Sequence, residues 1–206
     1  MLSQEWPSLK LKRGDTLILA THNQGKLEEF KTLLSLYDLN INSSGNLGIE
    51  EPEETENTFE GNALLKAKYT AEKTGHISLA DDSGLVVPAL DGMPGVYSAR
   101  WAGPERDFAI AHKKINDLLE NKPRDAYFTC VLAVALPDGS SKIFEGQSHG
   151  ELVWPTRGDV GFGYDSMFVP AGDSRTYAQM TRIEKSKSSH RTKAFKLFQE
   201  TLLGAH

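Results

Sequence analysis

Two adjacent carboxylates, Asp81 and Asp82, are the residues of this sequence whose types and setting most favour chemistry. They follow the apolar run 77–80 and precede Ser83 and Gly84. This pattern predicts a strand that ends at the acids, with Gly84 permitting a turn beyond them. Neighbouring carboxylates repel each other, so they are stable together when a cation or hydrogen bonds compensate. The alternatives are a functional site in which such compensation occurs and a solvated turn, in which these residue types are common.

A polar loop that contains a glycine and a lysine follows the first predicted strand. The strand covers residues 16–21, and the loop 22–26 leads into a helix. Strand, glycine-containing loop and helix together point backbone N–H groups toward an anion. The helix dipole disfavours Lys26 in the first turn, and an anionic ligand beside it would relieve that cost. The spacing is not that of a P-loop, so the alternatives are another kind of phosphate loop and a plain strand–helix turn.

A second glycine-rich loop covers residues 158–166. In it Phe162 and Tyr164 flank Gly163, and Asp165 follows. Two such rings can clamp a planar base while the carboxylate hydrogen-bonds to its edge. A glycine-rich loop with core aromatics is the other interpretation.

A basic cluster lies just before the last predicted helix. Its cationic side chains are Lys185, Lys187, His190 and Arg191, and Ser188 or Ser189 is a natural N cap. The N-terminus of a helix favours anions over cations, so the cluster predicts either an anion site or a solvated basic patch.

Composition limits the class of protein. The formal net charge of -5 argues against general nucleic-acid binding, since a basic surface supplies most of that affinity. The single cysteine, Cys130, lies in an apolar run, which excludes a disulfide framework or a cysteine-based zinc site and predicts a buried small hydrophobe. No run approaches the ~18 apolar residues of a membrane helix. Residues 1–13 lack the apolar core of a signal peptide, so we expect a cytoplasmic protein.

The elements that must position these residues are strands and helices in alternation. Strands are predicted at 16–21, 39–42, 77–82, 127–136, 141–153 and 167–170, and helices at 27–37, 57–74, 108–122, 176–180 and 190–202. Residues 127–136 are apolar on both faces, as in a central strand. The turn at Pro137-Asp138-Gly139 returns the chain antiparallel, which predicts a mixed sheet. The length suits one large domain or two lobes that share a core.

Helix caps can be read for two of the helices. Asn57 and Glu60 form a capping-box pattern before the second helix, and Gly75 ends it. The predicted buried stripe of that helix is Phe59, Ala63, Lys66, Ala67 and Thr70. The third helix has Asp107 as its N cap, and its predicted apolar face is Phe108, Ala111, Ile115, Leu118 and Leu119. The acidic segment 50–56 is typical of a solvated loop.

Several of these stretches, in this order, resemble the inosine triphosphate pyrophosphatase (Ham1-like) family. The matching motifs are 21–26 (Thr-His-Asn-Gln-Gly-Lys), 53–55 (Glu-Glu-Thr), Phe59 with Asn62-Ala63, 80–85 (Ala-Asp-Asp-Ser-Gly-Leu), 94–100 (Pro-Gly-Val-Tyr-Ser-Ala-Arg), 162–165 (Phe-Gly-Tyr-Asp) and 189–191 (Ser-His-Arg). Each motif is weak or moderate alone, but their joint order and spacing are specific. The resemblance extends from about Leu17 to the final helix.

The resemblance implies a Mg²⁺-dependent hydrolase that converts ITP, dITP and XTP to the monophosphate and pyrophosphate and so removes deaminated purines from the nucleotide pool. It implies an elongated α/β fold, with a long mixed sheet flanked by helices that form two lobes around a central cleft. It also implies a homodimer and a single domain over residues 1–206, of which residues 1–13 are a flexible extension.

Residue roles carry over by position. Asp82 matches the catalytic base, and Glu54 and Asp82 match the metal-linked acids. The residues that match substrate contacts are Thr21, His22, Asn23, Gln24, Gly25, Lys26, Ser83, Phe162, Gly163, Tyr164, Asp165, Lys185, His190 and Arg191.

The sequence departs from the family pattern at three places. His22 stands where a small residue is frequent, Ser166 replaces a proline, and residues 157–160 contain fewer glycines than is typical. None of these departures removes a matched catalytic group. Two other functions stay open: a Maf-like pyrophosphatase that acts on modified pyrimidine nucleotides or on dTTP and UTP, and a non-catalytic nucleotide-binding protein.

Overall fold

The protein is built from strands and helices that alternate along most of the chain. The structure is a computed structural model, and it describes Trp6 and residues 8–203. The strands are β1 (Thr16–Ala20), β2 (Asn40–Ser43), β3 (Ile77–Val86), β4 (Asp125–Ala135), β5 (Ser141–Leu152) and β6 (Phe168–Pro170). The helices are α1 (Gln24–Leu34), α2 (Phe59–Thr74), α3 (Phe108–Leu119), α4 (Arg182–Ser186) and α5 (His190–Phe198), and a π-helical turn, Gln199–Leu203, follows α5.

The six strands form one mixed sheet in the order β2-β1-β3-β4-β5-β6. Strand β1 pairs in parallel with β2 and β3, whereas β5 and β6 are antiparallel. The register sets Ala20 opposite Ala80, so Thr21, which follows the end of β1, comes at the level of Asp81, which lies inside β3. The predicted α/β fold with a mixed sheet flanked by helices is confirmed.

The chain divides into two compact units. The first contains the described residues of Met1–Asp82, Val131–Glu145 and Ala194–His206, and the second contains Ser83–Cys130 and Gly146–Lys193. Strands β3, β4 and β5 each contribute residues to both units.

One core cluster of the first unit consists mostly of small side chains. Helix α2 buries Ala63, Ala67 and Ala71, which recur every four residues and therefore share one face. They pack in one cluster with Ala20 and Ala80 of strands β1 and β3. Because alanine has no bulk beyond Cβ, the helix can lie close to the sheet, and this close approach positions the polar residues of the same helix face.

The second unit has a core rich in aromatic rings. Phe128 contacts Phe168 at 4.7 Å between ring centroids, and Phe168 contacts Tyr177 at 5.2 Å. Their geometries are edge-on and tilted, which aromatic pairs favour over face-to-face stacking. Cys130 is fully buried, as predicted.

Strand β3 differs from its sequence-based prediction. It continues through the acids to Val86, and Gly84 is a buried strand residue rather than the start of a turn. The prediction that the strand ends at Asp81 and Asp82 was wrong because both carboxylates have lysine partners inside the fold. Because these ion pairs compensate the two negative charges, Asp81 and Asp82 can remain within the sheet.

Two helix predictions also require correction. The N cap of α2 is Thr58 and not Asn57, since the Thr58 hydroxyl accepts a hydrogen bond from the Gly61 N–H at 3.0 Å. In α3, Leu118 is 45% exposed, because the buried face follows Ala111, Ile115 and Leu119. Gly75 and Asp107 cap their helices as predicted.

The N-terminal segment was predicted to be a flexible extension over residues 1–13, of which residues 1–5 and 7 lie outside the described residues. Within the described part, the Leu11 N–H donates to the Leu202 carbonyl at 2.7 Å. No helix in the part of the chain that the structure describes is long and apolar enough to cross a membrane.

Candidate active site

The loop between β1 and α1 is held by its own polar side chains. The Thr21 hydroxyl accepts from the Asn23 N–H, and the Asn23 amide oxygen caps α1 by accepting from the Lys26 N–H, both at 3.1 Å. His22 Nε2 donates to the Ile49 carbonyl at 2.8 Å. Gln24 and Gly25 form the exposed first turn of α1, which contains no acidic residue. The loop therefore presents a helix N-terminus and a lysine, a combination that suits a phosphate.

Two lysines and three carboxylates meet in the first unit. Lys26 forms an ion pair with Asp81. Lys66 donates to Glu54 at 2.7 Å and to Asp82 at 3.1 Å. Successive side chains of a strand point to opposite faces, so Asp81 and Asp82 pair with different lysines.

Burial changes the pKa values of this cluster. For Asp82, desolvation outweighs the attraction of Lys66 and Lys26 and raises the pKa to about 6. For Lys66, burial alone would lower the pKa, but the attraction of Asp82 and Glu54 outweighs it and raises the pKa above its ordinary value. Lys66 therefore stays charged, and Asp82 can gain or lose a proton near neutral pH.

Lys66 is the residue of this cluster that the sequence analysis did not assign to the site. It was placed in the buried stripe of α2, and the structure confirms that position with a side chain only 5% exposed. The available signal was its charge, since a lysine among alanines on a buried face requires an acidic partner.

One oxygen of Asp82 has no hydrogen-bond partner among the residues that the structure describes. Asp82 Oδ2 is buried and unpaired within the described part of the chain, whereas Oδ1 accepts from Lys66. Buried carboxylate oxygens normally have partners, so an unpaired one fits a ligand such as a cation or a water molecule. No group of three or more histidine, cysteine or acidic side chains suited to a metal occurs among the described residues. Mg²⁺ needs only one or two carboxylates when water and substrate phosphates complete its shell, so Glu54 and Asp82 suit it.

In the second unit, the loop 162–165 is organised around Asp165. Asp165 Oδ2 accepts from the Phe162 N–H at 3.1 Å and from Lys185 Nζ at 2.6 Å. The Lys185 ammonium also lies 5.2 Å from the centre of the Phe162 ring. Phe162 is 44% exposed, whereas Tyr164 is buried and its hydroxyl donates to the Ser98 carbonyl. Phe162 is therefore the ring of the pair that a ligand can reach.

The first two residues of α5, which belong to the second unit, are two further predicted site residues. Arg191 Nη2 donates to the Ser83 hydroxyl at 3.1 Å, and His190 stacks on Phe128 at 4.9 Å between centroids. Ser189 caps α5 by accepting from the Thr192 N–H. Lys187 is exposed, so it belongs to the solvated surface.

Comparison with known proteins identifies the family. The model of the Ham1 family matches residues 17–201. The chain belongs to the Ham1 family. It is 48% identical to a Gluconobacter oxydans protein and 50% identical to a Ruegeria pomeroyi protein, both named dITP/XTP pyrophosphatase. The alignments cover 94% of this chain and 94% of the Gluconobacter protein, and 93% of this chain and 97% of the Ruegeria protein.

Solved structures of Ham1 proteins share the fold. The Staphylococcus aureus Ham1 protein has a TM-score of 0.83 with 37% identity, and a Coxiella burnetii HAM1 protein has a TM-score of 0.85 with 34% identity. Each comparison covers 90% of this chain and 97% of the other. The resemblance seen in the sequence is thereby confirmed.

The three departures from the Ham1 pattern all lie in segments that hydrogen bonds hold to other parts of this chain. His22 bonds to Ile49, as described above, and the Ser166 carbonyl accepts from the Arg157 N–H at 2.8 Å. The Val160 N–H donates to the Ala178 carbonyl at 3.0 Å. Hydrogen bonds thus fix the glycine-rich loop at several points even though Ser166 replaces the usual proline.

Proposed function

We propose that this chain is a nucleoside triphosphate diphosphatase that hydrolyses ITP, dITP and XTP to the monophosphate and pyrophosphate. The observation that carries the proposal is the buried Asp82 carboxylate, in a cluster with two lysines. One of its oxygens has no partner among residues 6 and 8–203, and its pKa is about 6. The names of the Gluconobacter and Ruegeria relatives support the substrate class.

In the first unit, the proposed role of loop 21–26 is to bind the triphosphate. Lys26 supplies a positive charge, and the N–H groups of the first turn of α1 supply donors. Phosphoryl transfer depends mainly on positioning and on charge stabilisation, and this loop offers both.

Asp82 acts as the general base in this proposal. A carboxylate with a pKa of about 6 is largely ionised at neutral pH and can still accept a proton from water. The water oxygen forms a bond to phosphorus, the anhydride bond between the α and β phosphates breaks, and pyrophosphate leaves. Lys66 keeps Asp82 and Glu54 together during this step, since its ammonium bonds to both.

Mg²⁺ is the proposed cofactor, held by Glu54 and Asp82. When bound, it neutralises phosphate charge and lowers the pKa of coordinated water. The unpaired Asp82 Oδ2 and the carboxylate of Glu54 are the donor set that supports this assignment.

In the second unit, the proposed role of Phe162 is to stack on the base, with Gly163, Tyr164 and Asp165 shaping the loop. Lys185, His190 and Arg191 are the proposed nucleotide contacts, and Ser83 contacts a phosphate. Reading the 6-keto oxygen of hypoxanthine or xanthine requires hydrogen-bond donors, which these cationic side chains and backbone N–H groups supply.

Three further properties complete the proposal. The chain forms a homodimer, as its family resemblance implies, and it acts in the cytoplasm on free nucleotides. Its net charge of -5 supports a substrate that is a free nucleotide rather than nucleic acid. The two units form a single ITPase-like domain, supported by the three strands that contribute to both.

The test is a substrate panel with purified protein and Mg²⁺. We expect pyrophosphate release from ITP, dITP and XTP to be at least 100-fold faster than from ATP or GTP. Primary release of orthophosphate, or equal rates on ATP, would exclude the proposal. Preferred hydrolysis of dTTP, UTP or modified pyrimidine nucleotides would instead identify a Maf-like enzyme.

An Asp82→Asn variant separates the enzyme from a non-catalytic nucleotide-binding protein. It should lose turnover by at least 100-fold and still bind ITP, because the amide cannot accept the proton but preserves the shape of the side chain. Retention of most turnover would remove Asp82 as the base. The absence of turnover in the wild-type protein, with ITP binding intact, would favour the binding protein.

A further inference from the structure

Helix α3 carries a buried histidine that the reaction proposed above does not use. His112 is 8% exposed, and its Nε2 lies 3.0 Å from the carbonyl oxygen of Gly163. Its ring meets the ring of Tyr164 edge-on at 5.6 Å between centroids. Phe108, one turn earlier on α3, meets Tyr164 at 5.3 Å, also edge-on. Helix α3 thus contacts two consecutive residues of the loop 162–165.

The hydrogen bond to the Gly163 carbonyl determines which nitrogen of His112 carries a proton. A carbonyl oxygen can only accept a hydrogen bond, so His112 Nε2 must carry the proton. Burial lowers the pKa of His112, while the bond to Gly163 and the charge of Asp107 oppose that shift. The ring is therefore a neutral donor at neutral pH, and it fills its site without placing a charge there.

Each residue of the loop 162–165 takes part in a hydrogen bond that holds the loop. His112 holds the Gly163 carbonyl, the Ser98 carbonyl holds the Tyr164 hydroxyl, and Asp165 bonds to Lys185 and to the Phe162 N–H. Gly163 has a φ of +65°, which glycine adopts at little cost, so its carbonyl direction depends on such bonds. The ring of Phe162 is left as the exposed group of the loop.

We propose that His112 is a positioning residue for the purine base. Its N–H fixes the Gly163 carbonyl and, through the shared backbone, the direction in which Phe162 presents its ring. This inference rests on the proposed function, because it assumes that the loop binds the base. It predicts that His112 affects the binding of the base and leaves the binding of the triphosphate chain and the chemical step unchanged.

The test compares a variant that keeps the donor with one that removes it. His112→Gln retains an N–H at the end of a flexible side chain, and His112→Leu has a similar volume without the donor. Lys113→Leu is the matched control, since Lys113 is an exposed neighbour on the same helix that pairs with Asp117. If His112→Leu does not fold, His112→Met replaces it, and thermal unfolding of every variant is recorded first.

Two ligands separate the base from the phosphates: IMP, which contains the base, and tripolyphosphate, which does not. For His112→Leu we expect the Kd for IMP and the KM for ITP to rise about tenfold, the size of a lost buried hydrogen bond. The Kd for tripolyphosphate and kcat should stay within about twofold of wild type. His112→Gln should recover most of the IMP affinity, and Lys113→Leu should match wild type.

The outcomes distinguish this inference from the proposed function. If wild-type protein does not hydrolyse ITP, the proposed function fails. If it does, and His112→Leu binds IMP as tightly as wild type, only the role of His112 fails. Equal losses for IMP and tripolyphosphate, or equal defects in His112→Gln and His112→Leu, would show that His112 merely fills space, and would also overturn the inference.

Discussion

Among single residues, Lys66 links the two carboxylates that are proposed to act in the first unit. One ammonium group bonds to both the partly buried Glu54 and the buried Asp82, so two carboxylates that would repel each other can lie close together. Breaking a buried ion pair by removing one partner is costly because the remaining charge has no compensation. The stability of the unit and the state of its proposed base therefore depend on the same side chain.

The first prediction concerns this lysine. We expect Lys66→Met to lower the free energy of unfolding by about 3–5 kcal/mol, the usual cost of an orphaned buried charge. Turnover of ITP should fall as well, since the pKa of Asp82 rises further without the ammonium. Urea denaturation and a pyrophosphate assay measure the two effects. Lys68→Met, at an exposed position of the same helix, should change neither, and a stable, active Lys66→Met would contradict the prediction.

The second prediction concerns the pH dependence of stability through Asp82. Its pKa is raised from 3.8 to about 6, so the folded protein holds this proton more tightly than the unfolded chain does. The stabilisation is fully present below pH 3.8 and is lost as the pH rises through about 6. Relative to Asp82→Asn, wild type should lose ~2 kcal/mol between pH 4 and pH 7 in metal-free buffer.

Urea unfolding of both proteins at several pH values measures this difference. The exposed Asp117→Asn is the control, and its difference from wild type should change little over the same range. The prediction fails if the difference in the free energy of unfolding between wild type and Asp82→Asn stays constant with pH. It also fails if that difference shifts in favour of wild type as the pH rises.

At the scale of residues, the sequence predicted the acids and the loops but not their partners. Local patterns singled out Lys26 and the pair Asp81 and Asp82, the resemblance to the family selected Asp82, and the structure pairs all three with groups of opposite charge. The bond from Lys66 to Asp82 joins residues 16 positions apart on a helix and a strand. Such a contact depends on how α2 packs on the sheet, which residue spacing along the chain does not encode.

Among elements, the glycine-rich loop of the second unit has a glycine, Gly161, that leaves space for the side chain of Asp165. Gly161 has a φ of +91°, and a Cβ atom built there would collide with Asp165 Oδ2. That oxygen is the one that bonds to both Lys185 and the Phe162 N–H. The glycine is therefore required both by its conformation and by the carboxylate beside it.

The third prediction tests this requirement. Gly161→Ala should displace the Asp165 carboxylate and raise the KM for ITP about tenfold or more, because the loop that carries Phe162 loses two hydrogen bonds. Steady-state kinetics with ITP measure the effect. Gly139→Ala is the matched control, since Gly139 has a similar φ of +89° but open space around its Cβ position. Both variants incur backbone strain, so an equal rise in KM would remove the role assigned to Asp165.

Element boundaries were the least predictable part of the fold. The pattern of turn residues after Ala80 predicted that β3 would end there, but the strand continues to Val86. Asp, Ser and Gly are typical of turns and rare in strands. Here the ion pairs of Asp81 and Asp82 with lysines allow the two acids to remain in β3. Where no such pairing intervened, as at the cap Gly75 and the turn at Gly139, the local signals were sufficient.

At the scale of the whole molecule, the two units carry different groups. The carboxylates and lysines of the proposed chemical step belong to the first unit, and the aromatic loop belongs to the second. Substitutions in the two units should therefore differ in whether they weaken the binding of tripolyphosphate, which has the phosphate chain but no base.

The fourth prediction follows from this division. Phe162→Ala should raise the KM for ITP about tenfold, in line with ~1–3 kcal/mol for stacking of one base, and leave inhibition by tripolyphosphate unchanged. Lys26→Ala should weaken tripolyphosphate and ITP by similar factors, because both carry the same phosphate chain. Inhibition constants and Michaelis constants for the two variants give the comparison. A loss of tripolyphosphate affinity in Phe162→Ala would contradict the separation of roles.

Strand β3 also has a consequence for how this protein can evolve. Asp81, Asp82 and Ser83 are consecutive residues whose side chains alternate between the two faces of the sheet. The insertion or deletion of a single residue in β3 ahead of them would exchange those faces and separate every acid from its lysine. Insertions and deletions should therefore be tolerated less in β3 than substitutions are. Relatives of this protein should differ in length in their surface loops, whereas the length of β3 stays constant.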